Sequence, residues 1–280
     1  HLFDILRRDL RRIFMPPRPG QSGIERFSFQ ISSDNMDKLL KGAERESRRP
    51  YLPARLVRGA SLQPLEMRLR GQRHWHLMAR QKSFKVRLPK GSLLFGNRIF
   101  NLINEPSPLV VGDQIMLDIL SEHDVLTPLS FFARVDFNGA DLGVYHYEGQ
   151  PEESLLRLSK RIPGSMYSGN LPPSAETAEL WSDVNRWKKV AWRGGEQKKA
   201  PDDLKRLLSM ISSATVSQFA DFARYEMDLR AFATFDAVDV AFGVDQHNFR
   251  ENHKLYFDPY RGRWEPIAWN LRGFRDDPVF

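Results

Sequence analysis

Short runs of alternating apolar and polar residues recur through the first third of the chain, and this period of two limits the fold more than any other sequence feature. The alternation is clear in residues 27–31, 65–69 and 83–88. Successive side chains of a β-strand point to opposite faces of a sheet, so the pattern indicates strands that bury one face. One helix is predicted within this region, at Ser33–Lys41. The segment 27–88 is therefore predicted to be mainly β-sheet.

A helix and then a hairpin are predicted in the middle of the chain. Residues 110–123 follow a proline-rich breaker and are rich in apolar side chains, which favours a helix. The hairpin is indicated by Asn138 and Gly139, which lie between the runs 131–137 and 142–147. Both residue types tolerate the positive φ angles that a tight hairpin turn requires.

The chain after residue 149 is predicted to be largely helical, with a small two-stranded element near its end. The predicted helices are 152–158, 175–190, 202–210 and 215–242. The predicted final strands are 254–257 and 264–269. A strand-rich first half followed by a helical second half is typical of an α+β protein.

Composition limits the classes of function that need consideration. With 280 residues, 41% of them hydrophobic, the chain can bury a large core, as one bilobal unit or as two closely packed domains. The absence of cysteine excludes disulfides, thiol catalysis and cysteine-rich zinc sites. No apolar stretch approaches the roughly 18–20 residues that a transmembrane helix requires, so a soluble chain is expected.

The charge of the chain favours some partners over others. A net charge of +7 and a pI near 9.7 favour a nucleotide, an anionic polymer or a membrane surface, although they are also typical of a solvated surface. No basic stripe with interleaved aromatic residues is present, so nucleic acid is not expected as a partner. Residues 1–19 are predicted to form a basic amphipathic helix that either packs on the protein or associates with a membrane. No signal-peptide pattern is found, and the start at His1 is expected to be a processing boundary.

Four groups of residues, taken in their order along the chain, carry a resemblance to a known family. They are residues 68–71 with 74–75 and 81–86; 96–98 with 101–103; 137–145 with 148; and 245–247 with 252 and 256–267. Together they resemble the signatures of the spore coat protein H (CotH) kinase family, a secreted branch of the protein-kinase-like fold.

The resemblance implies a bilobal protein-kinase-like fold within the α+β class. Its expected parts are a basic helix and linker at 1–20, a strand-rich N-lobe at 21–149, and a mainly helical C-lobe with the catalytic segment at 150–280. Glu148, at the entry to the hinge between the lobes, is expected to bind the ribose or a basic residue. The resemblance also implies an extracytoplasmic or cell-envelope location.

The other expected nucleotide contacts lie mostly in the N-lobe. Arg70 and Gly71 open a loop in which a small residue lets backbone N–H groups approach phosphate oxygens. Lys82 is expected to neutralise the α- and β-phosphates, with Lys85 as the alternative because the strand register is not visible in the sequence. Glu122, from the following helix, is the expected carboxylate partner of that lysine. Further alternatives are Arg87 for the lysine, and Asp113 and Asp118 for the carboxylate.

The segment that begins at residue 245 is expected to carry the catalysis. A kinase needs a carboxylate that deprotonates the acceptor hydroxyl and, a few residues later, an amide oxygen that binds Mg²⁺. Asp245 is the expected base and Asn252 the expected metal ligand. His247 competes with Asp245 as base, and Asn248 competes with Asn252 as ligand. The alternative is that Asp245 only caps a turn and that His247 is structural.

One residue departs from the family pattern. Where the family has an Asp that bridges Mg²⁺ to the phosphates, this chain has Asn270. The amide keeps a ligand oxygen but loses the negative charge. Arg272 places a fixed cation nearby, which would repel Mg²⁺ or pair directly with phosphate.

The resemblance leads to two alternative functions. The first is a CotH-like atypical kinase that uses ATP with Mg²⁺ or Mn²⁺ and transfers phosphate to a protein Ser or Thr, or to another hydroxyl acceptor. The second is a pseudokinase that binds nucleotide without catalysis, which Asn270 and Arg272 favour. A non-catalytic cell-envelope protein that binds an anionic polymer is a third hypothesis, based on the net charge.

Overall fold

A computed structural model describes residues 23–41, 50–71, 82–104, 109–170, 180–191, 202–244, 246–247 and 252–271. The chain divides into two compact units. The first, which we call the barrel unit, consists of residues 1–106 and 129–150, and the second unit consists of residues 107–128 and 151–280. The predicted basic helix at 1–19 lies outside the described residues.

Seven strands form a closed barrel in the barrel unit. The strands are β1 (Glu25–Gln30), β2 (Leu52–Arg58), β3 (Ser61–Leu69), β4 (Phe84–Arg87), β5 (Ile99–Ile103), β6 (Ser130–Phe137) and β7 (Ala140–Gly149), and helix α1 (Ser33–Lys41) follows β1. Their order around the barrel is β1-β2-β3-β4-β5-β7-β6. Strand β6 closes the barrel by pairing with β1 in parallel, whereas the other neighbouring pairs are antiparallel.

The alternating residues of these strands fill the barrel. In β3, Leu65, Met67 and Leu69 belong to the buried core, and in β4 Phe84 and Val86 do so. The residues between them point to the outer face, as the period of two requires. The strands predicted from the alternation in residues 27–31, 65–69 and 83–88 are therefore confirmed.

The predicted hairpin is also confirmed, and its turn fastens the seam of the barrel. Asn138 and Gly139 connect β6 to β7 with φ angles of 51° and 83°. The Asn138 side chain donates from Nδ2 to the carbonyl oxygen of Ile31 at 2.9 Å, and its Oδ1 accepts from the Ile31 N–H at 3.0 Å. The Asn138 N–H donates to the carbonyl oxygen of Phe29 at 2.8 Å. The turn thus holds the end of β1 against β6.

The second unit combines helices with a second sheet. Its helices are α2 (Leu109–Glu122), α3 (Glu153–Leu158), α4 (Asp202–Ser213), α5 (Val216–Glu226) and α6 (Leu229–Ala241). Its strands are β8 (Ser165–Gly169), β9 (Trp187–Ala191), β10 (His253–Asp258) and β11 (Arg263–Pro266), in the antiparallel order β11-β10-β8-β9. The longest helix in the described part of the chain has 14 residues, and none there is long and apolar enough to cross a membrane.

Three buried clusters hold the second unit together. One joins α2 to α6 and includes Met116, Leu120 and Val238. A second lies between the sheet and α4 and includes Tyr167, Trp264, Leu204 and Leu207. The third packs α3 against the other face of the sheet and includes Leu155, Met166 and Tyr256. Because Ala231 and Val238 of α6 share the first cluster with Ala268 and Leu271, α6 is fixed beside the segment that follows β11.

The predicted fold class, an α+β bilobal protein-kinase-like fold with a mainly helical C-lobe, is wrong. The strands of the first unit close into a barrel, and the second unit is built on a four-stranded sheet, of which only the last two strands were predicted. Strand β8 was not predicted, and the described part of the predicted helix 175–190 forms two short 3₁₀ turns and β9. Such short strands contain too few residues for their alternation to be distinguished from one face of a helix.

A buried ion network links the turn between β10 and β11 to the rest of the second unit. Glu265 is fully buried and pairs with Arg161 at 3.0 Å and with Arg261. Arg261 also contacts Asp258 at 2.8 Å and Asp228 at 3.3 Å. Burial raises the pKa of Glu265 above its usual value despite the two guanidinium groups, so it costs free energy to keep this carboxylate charged.

Candidate functional site

A continuous row of polar residues crosses the outer face of the barrel. The members are cross-strand partners on five neighbouring strands: Arg68 of β3, Lys85 of β4, Asn101 of β5, Glu148 of β7 and Ser130 of β6. We call this set the polar row. It includes two predicted nucleotide-binding residues, Lys85 and Glu148, with Asn101 between them.

The centre of the polar row is buried and internally hydrogen-bonded. Glu148 is 5% exposed and Asn101 is 1% exposed, although both point away from the barrel core. Asn101 donates from Nδ2 to Glu148 Oε2 at 3.4 Å, and Lys85 donates from Nζ to Gln150 Oε1 at 2.6 Å. Hydrogen bonds of this kind hold polar groups in fixed orientations where water has little access.

The strand register separates the two candidate lysines. Strand β4 begins at Phe84, so Lys82 lies two residues before the strand. Lys85 lies on the strand and shares the polar row with Glu148. Glu122, the predicted carboxylate partner, is the last residue of α2 and is exposed in the second unit. The predicted roles of these residues stay predictions.

The predicted phosphate loop begins where β3 ends. The N–H of Arg70 still donates to the carbonyl oxygen of Ser83 at 2.8 Å, and Gly71 has a φ angle of 106°, in the region that favours glycine.

His146 of β7 is almost completely buried, and burial together with the positive charge of Arg70 lowers its pKa to about 3. His146 is therefore neutral at physiological pH.

A second set of candidate residues surrounds Gln246 in the second unit. Asn252 donates from Nδ2 to the backbone carbonyl oxygen of Gln246 at 3.0 Å. Asn270 donates from Nδ2 to the side-chain oxygen Oε1 of Gln246 at 3.3 Å. The structure thus brings together two residues that are 18 positions apart and that the sequence predicted as metal ligands. We call Gln246 with these two asparagines the amide cluster.

Both asparagines of the amide cluster adopt an unusual backbone conformation. Their φ angles are 66° for Asn252 and 57° for Asn270, in the left-handed region that Asn tolerates better than other non-glycine residues. The N–H of Asn252 also donates to Oδ1 of Asn170, at 3.1 Å. Within the described residues no donor is assigned to Oδ1 of Asn252 or of Asn270.

His247 is held between α6 and the segment after β11. Its side chain is 5% exposed. Nδ1 lies 2.6 Å from Oδ2 of Asp239, and Nε2 lies 2.6 Å from the carbonyl oxygen of Trp269. The ring also packs against Phe235, with ring centroids 4.9 Å apart. Asp245, Asn248 and Arg272, the other predicted site residues of this region, lie outside the described residues.

A buried lysine lies near the amide cluster. Lys254 donates from Nζ to Ser168 Oγ at 2.9 Å, and its ammonium group lies 5.0 Å from the centroid of the Trp269 ring. Favourable cation–π contacts have this distance. Lys254 is buried, so a positive charge is fixed next to the residue that precedes Asn270.

The described residues do not form a resident Mg²⁺ site. The part of the chain that the structure describes contains no group of three or more His, Cys, Asp or Glu residues that could hold a metal ion. Asn252 and Asn270 could supply amide oxygens, but both are neutral. Mg²⁺ sites in proteins usually include one or two carboxylates, so this donor set does not fit a tightly bound ion.

Sequence reasoning missed several residues of both sets. Asn101 and Ser130 of the polar row become visible only when the register between strands is known. Asp239 lies in a predicted helix that also carries the exposed Asp236, and no sequence signal separates the buried acid from the exposed one. The motif around residue 245 includes His247 and Asn252, whose predicted roles stay predictions.

Comparisons with known proteins agree with the motifs. A family model described as CotH kinase protein matches residues 67–273. The inner spore coat protein H of Bacillus subtilis (strain 168) is 25% identical to the chain over 197 residues, which are 68% of this chain and 54% of that protein. The chain therefore spans about half the length of the curated relative that it matches.

Proposed function

Because the chain belongs to the CotH kinase protein family, we propose that it transfers the γ-phosphoryl group of ATP to a hydroxyl acceptor. The resemblance drawn from the sequence motifs is confirmed by this membership. The acceptor that we propose is a protein Ser or Thr, or another hydroxyl compound.

One observation carries the proposal: the amide cluster lies directly after Asp245 in the sequence. A phosphotransferase needs a base for the acceptor hydroxyl and polar groups that position the reactants beside that base. Asn252 and Asn270 both reach Gln246, the residue that follows Asp245. This convergence supports Asp245 as the base and the two amides as positioning groups.

The geometry of His247 supports a positioning role rather than the role of base. A general base needs a lone pair that can reach the substrate proton. Both ring nitrogens of His247 already lie 2.6 Å from protein oxygens, and the side chain is buried. We therefore assign the base to Asp245 alone.

In the proposed reaction the acceptor oxygen attacks the γ-phosphorus of ATP. The bond between the γ-phosphorus and the oxygen that bridges it to the β-phosphate breaks, and ADP leaves. The proton of the hydroxyl passes to the carboxylate of Asp245. Lys85 of the polar row is the cation that we propose for the electrostatic support of the phosphates. Mg²⁺ or Mn²⁺ arrives bound to ATP as part of the substrate and screens its phosphate charge.

A second candidate function is nucleotide binding without catalysis. Asn270 favours it, because a neutral amide replaces the family carboxylate and is engaged in a hydrogen bond with Gln246. A protein of this kind would bind ATP with little dependence on the divalent cation. Arg272, which lies outside the described residues, would then pair with phosphate.

We further propose that the protein works outside the cytoplasm or in a coat layer. The support is that the Bacillus subtilis relative is an inner spore coat protein. Association with a membrane through residues 1–19 stays a prediction. A cell-envelope protein that binds an anionic polymer without using nucleotide is the outcome to expect if ATP does not bind.

The experiment combines ATP binding with phosphate transfer. We expect ATP to raise the melting temperature of the chain more strongly with Mg²⁺ or Mn²⁺ than without. We also expect labelled phosphate to pass from ATP to the chain itself or to dephosphorylated casein. Replacing Lys85→Met should weaken ATP binding by about tenfold or more, because a cation near the phosphates is lost.

Arg87→Met is the matched control. Arg87 lies on the same face of β4 but pairs with Glu66 at 2.7 Å. This variant should leave the ATP affinity unchanged, and Lys82→Met tests the other candidate lysine. If Lys85→Met binds ATP as the unmodified chain does, the assignment of the phosphate lysine is wrong. ATP stabilisation without phosphate transfer would favour the non-catalytic candidate.

A further inference from the structure

Asp239 of α6 is a buried carboxylate whose one hydrogen-bonding partner within the described residues is His247. Oδ2 lies 2.6 Å from Nδ1 of His247, whereas Oδ1 is buried without a hydrogen bond. A buried carboxylate is costly unless it is paired or hydrogen-bonded. The contact with His247 is therefore the reason that an acid is tolerated on the inner side of this helix.

The imidazole of His247 lies between two oxygens that both accept hydrogen bonds. Nδ1 faces the carboxylate of Asp239, and Nε2 faces the backbone carbonyl of Trp269. A neutral imidazole has a single N–H. Both contacts are satisfied if the ring carries two protons, or if Asp239 holds the second proton and donates it to Nδ1. In either case the series of hydrogen bonds that runs from α6 through His247 to Trp269 depends on Asp239.

This series of hydrogen bonds joins two residues that flank the amide cluster. His247 follows Gln246, which accepts from both asparagines, and Trp269 precedes Asn270. The left-handed conformation of Asn270 begins directly after the carbonyl that His247 holds. Such a conformation is unfavourable for a non-glycine residue unless the surrounding contacts fix it.

We propose that Asp239 is a positioning residue, which acts through His247 to fix the orientation of the Asn252 and Asn270 side chains. The proposal rests on the proposed phosphotransferase function for its catalytic consequence. Its structural consequence, the orientation of the two amides, does not require that function.

Packing alone would make a different prediction. The ring of His247 also contacts Phe235, and this contact could persist if an apolar side chain of similar size replaced Asp239. If packing were sufficient, the polar contacts of Asp239 could be removed without an effect on the amide cluster. The variants below separate these two explanations.

The test compares Asp239→Asn with Asp239→Leu. An asparagine can donate from Nδ2 to Nδ1 of a neutral His247, which still donates from Nε2 to Trp269, so this variant keeps both contacts. A leucine of similar size removes the hydrogen bond to Nδ1 of His247 and leaves only the contact with Trp269. Asp228→Ala is the control, since Asp228 caps the start of the same helix by accepting from the Ala231 N–H, and its loss destabilises α6 without touching His247.

The first readout is the NMR signals of the two asparagine side-chain amides, assigned by their disappearance in Asn252→Ala and Asn270→Ala. We expect Asp239→Leu to shift both pairs of signals, and Asp239→Asn and Asp228→Ala to leave them in place. Signals that stay unchanged in Asp239→Leu would overturn the proposal. Equal shifts in Asp239→Leu and Asp228→Ala would also overturn it, because the effect would then be a general loosening of α6.

The second readout is phosphate transfer from ATP. Misplaced reacting groups cost about 100-fold in rate, so Asp239→Leu should lose about that factor in kcat with a smaller change in the KM for ATP. Asp239→Asn should stay within about threefold of the unmodified chain. If the NMR shifts occur but the unmodified chain transfers no phosphate, the positioning role stands and the proposed function fails.

Discussion

The turn residue Asn138 should contribute more to the stability of the barrel than an ordinary turn residue does. Its side chain makes two hydrogen bonds with the backbone of Ile31, at 2.9 and 3.0 Å, across the parallel seam between β1 and β6. Its φ angle of 51° places it in the left-handed region. Two substitutions can separate these contributions.

The expected magnitudes follow from the contacts. Each side-chain hydrogen bond is worth about 1 kcal/mol, and the left-handed conformation costs an alanine about 1 kcal/mol more than it costs an asparagine or a glycine. Asn138→Ala loses both hydrogen bonds and bears the conformational cost, so its free energy of unfolding should fall by about 3 kcal/mol. Asn138→Gly loses the hydrogen bonds alone, so its loss should be about 2 kcal/mol.

Urea unfolding followed by far-UV circular dichroism gives the free energies, and hydrogen exchange of the Ile31 and Asn138 amides locates the change. Both amides should exchange faster in both variants, because their hydrogen-bond partners lie across the seam. Asn185→Ala, in an exposed turn of the second unit, is the control and should cost less than about 0.5 kcal/mol. A glycine variant as unstable as the alanine variant would refute the conformational part of this reasoning. Unchanged exchange at Ile31 would refute the role of the seam.

Two further predictions concern the second sheet. Burial opposes the ionised form of Asp258, but hydrogen bonds from Arg261 and from the backbone outweigh it and lower the pKa below the usual value. The stability from this depressed pKa is present above about pH 4 and is lost as the pH falls through the folded-state pKa. The free energy of unfolding of the unmodified chain should therefore approach that of Asp258→Asn at acid pH. Urea unfolding at a series of pH values measures this difference. Gly169→Ala should destabilise the sheet by about 1–3 kcal/mol, because the added Cβ atom would lie 2.9 Å from the Trp187 ring. Urea unfolding followed by tryptophan fluorescence measures this loss. A stability equal to that of the unmodified chain would show that the ring moves freely.

The sequence predicts the strands of the barrel better than it predicts their closure. Alternation in β3 and β4 and the turn at Asn138 and Gly139 are local features, and each determines the structure within a few residues. The pairing of β6 with β1 is parallel and joins segments that are distant in the chain. No turn or periodicity encodes such a contact, so the same strands were consistent with an open lobe.

The site shows the same division between local and distant information. The motif at residue 245 predicts roles for His247 and Asn252 from their local spacing. Asn270 and Asn252 both contact Gln246. This meeting depends on how the segments before β10 and after β11 pack beside α6. The buried position of Asp239 depends on the same packing. These contacts come from tertiary structure, which a single sequence does not encode residue by residue.

Asn270, at a position where the resemblance implies a carboxylate, is chemically consistent with its surroundings. Nδ2 of Asn270 donates to Oε1 of Gln246, whereas an aspartate there would place its carboxylate against that same oxygen. Such a carboxylate would require the Gln246 amide to turn so that its NH₂ group donates instead. The buried ammonium group of Lys254, beside the Trp269 ring, keeps a positive charge near this position. Asn270 is thus part of a hydrogen-bonded arrangement rather than an isolated loss of charge.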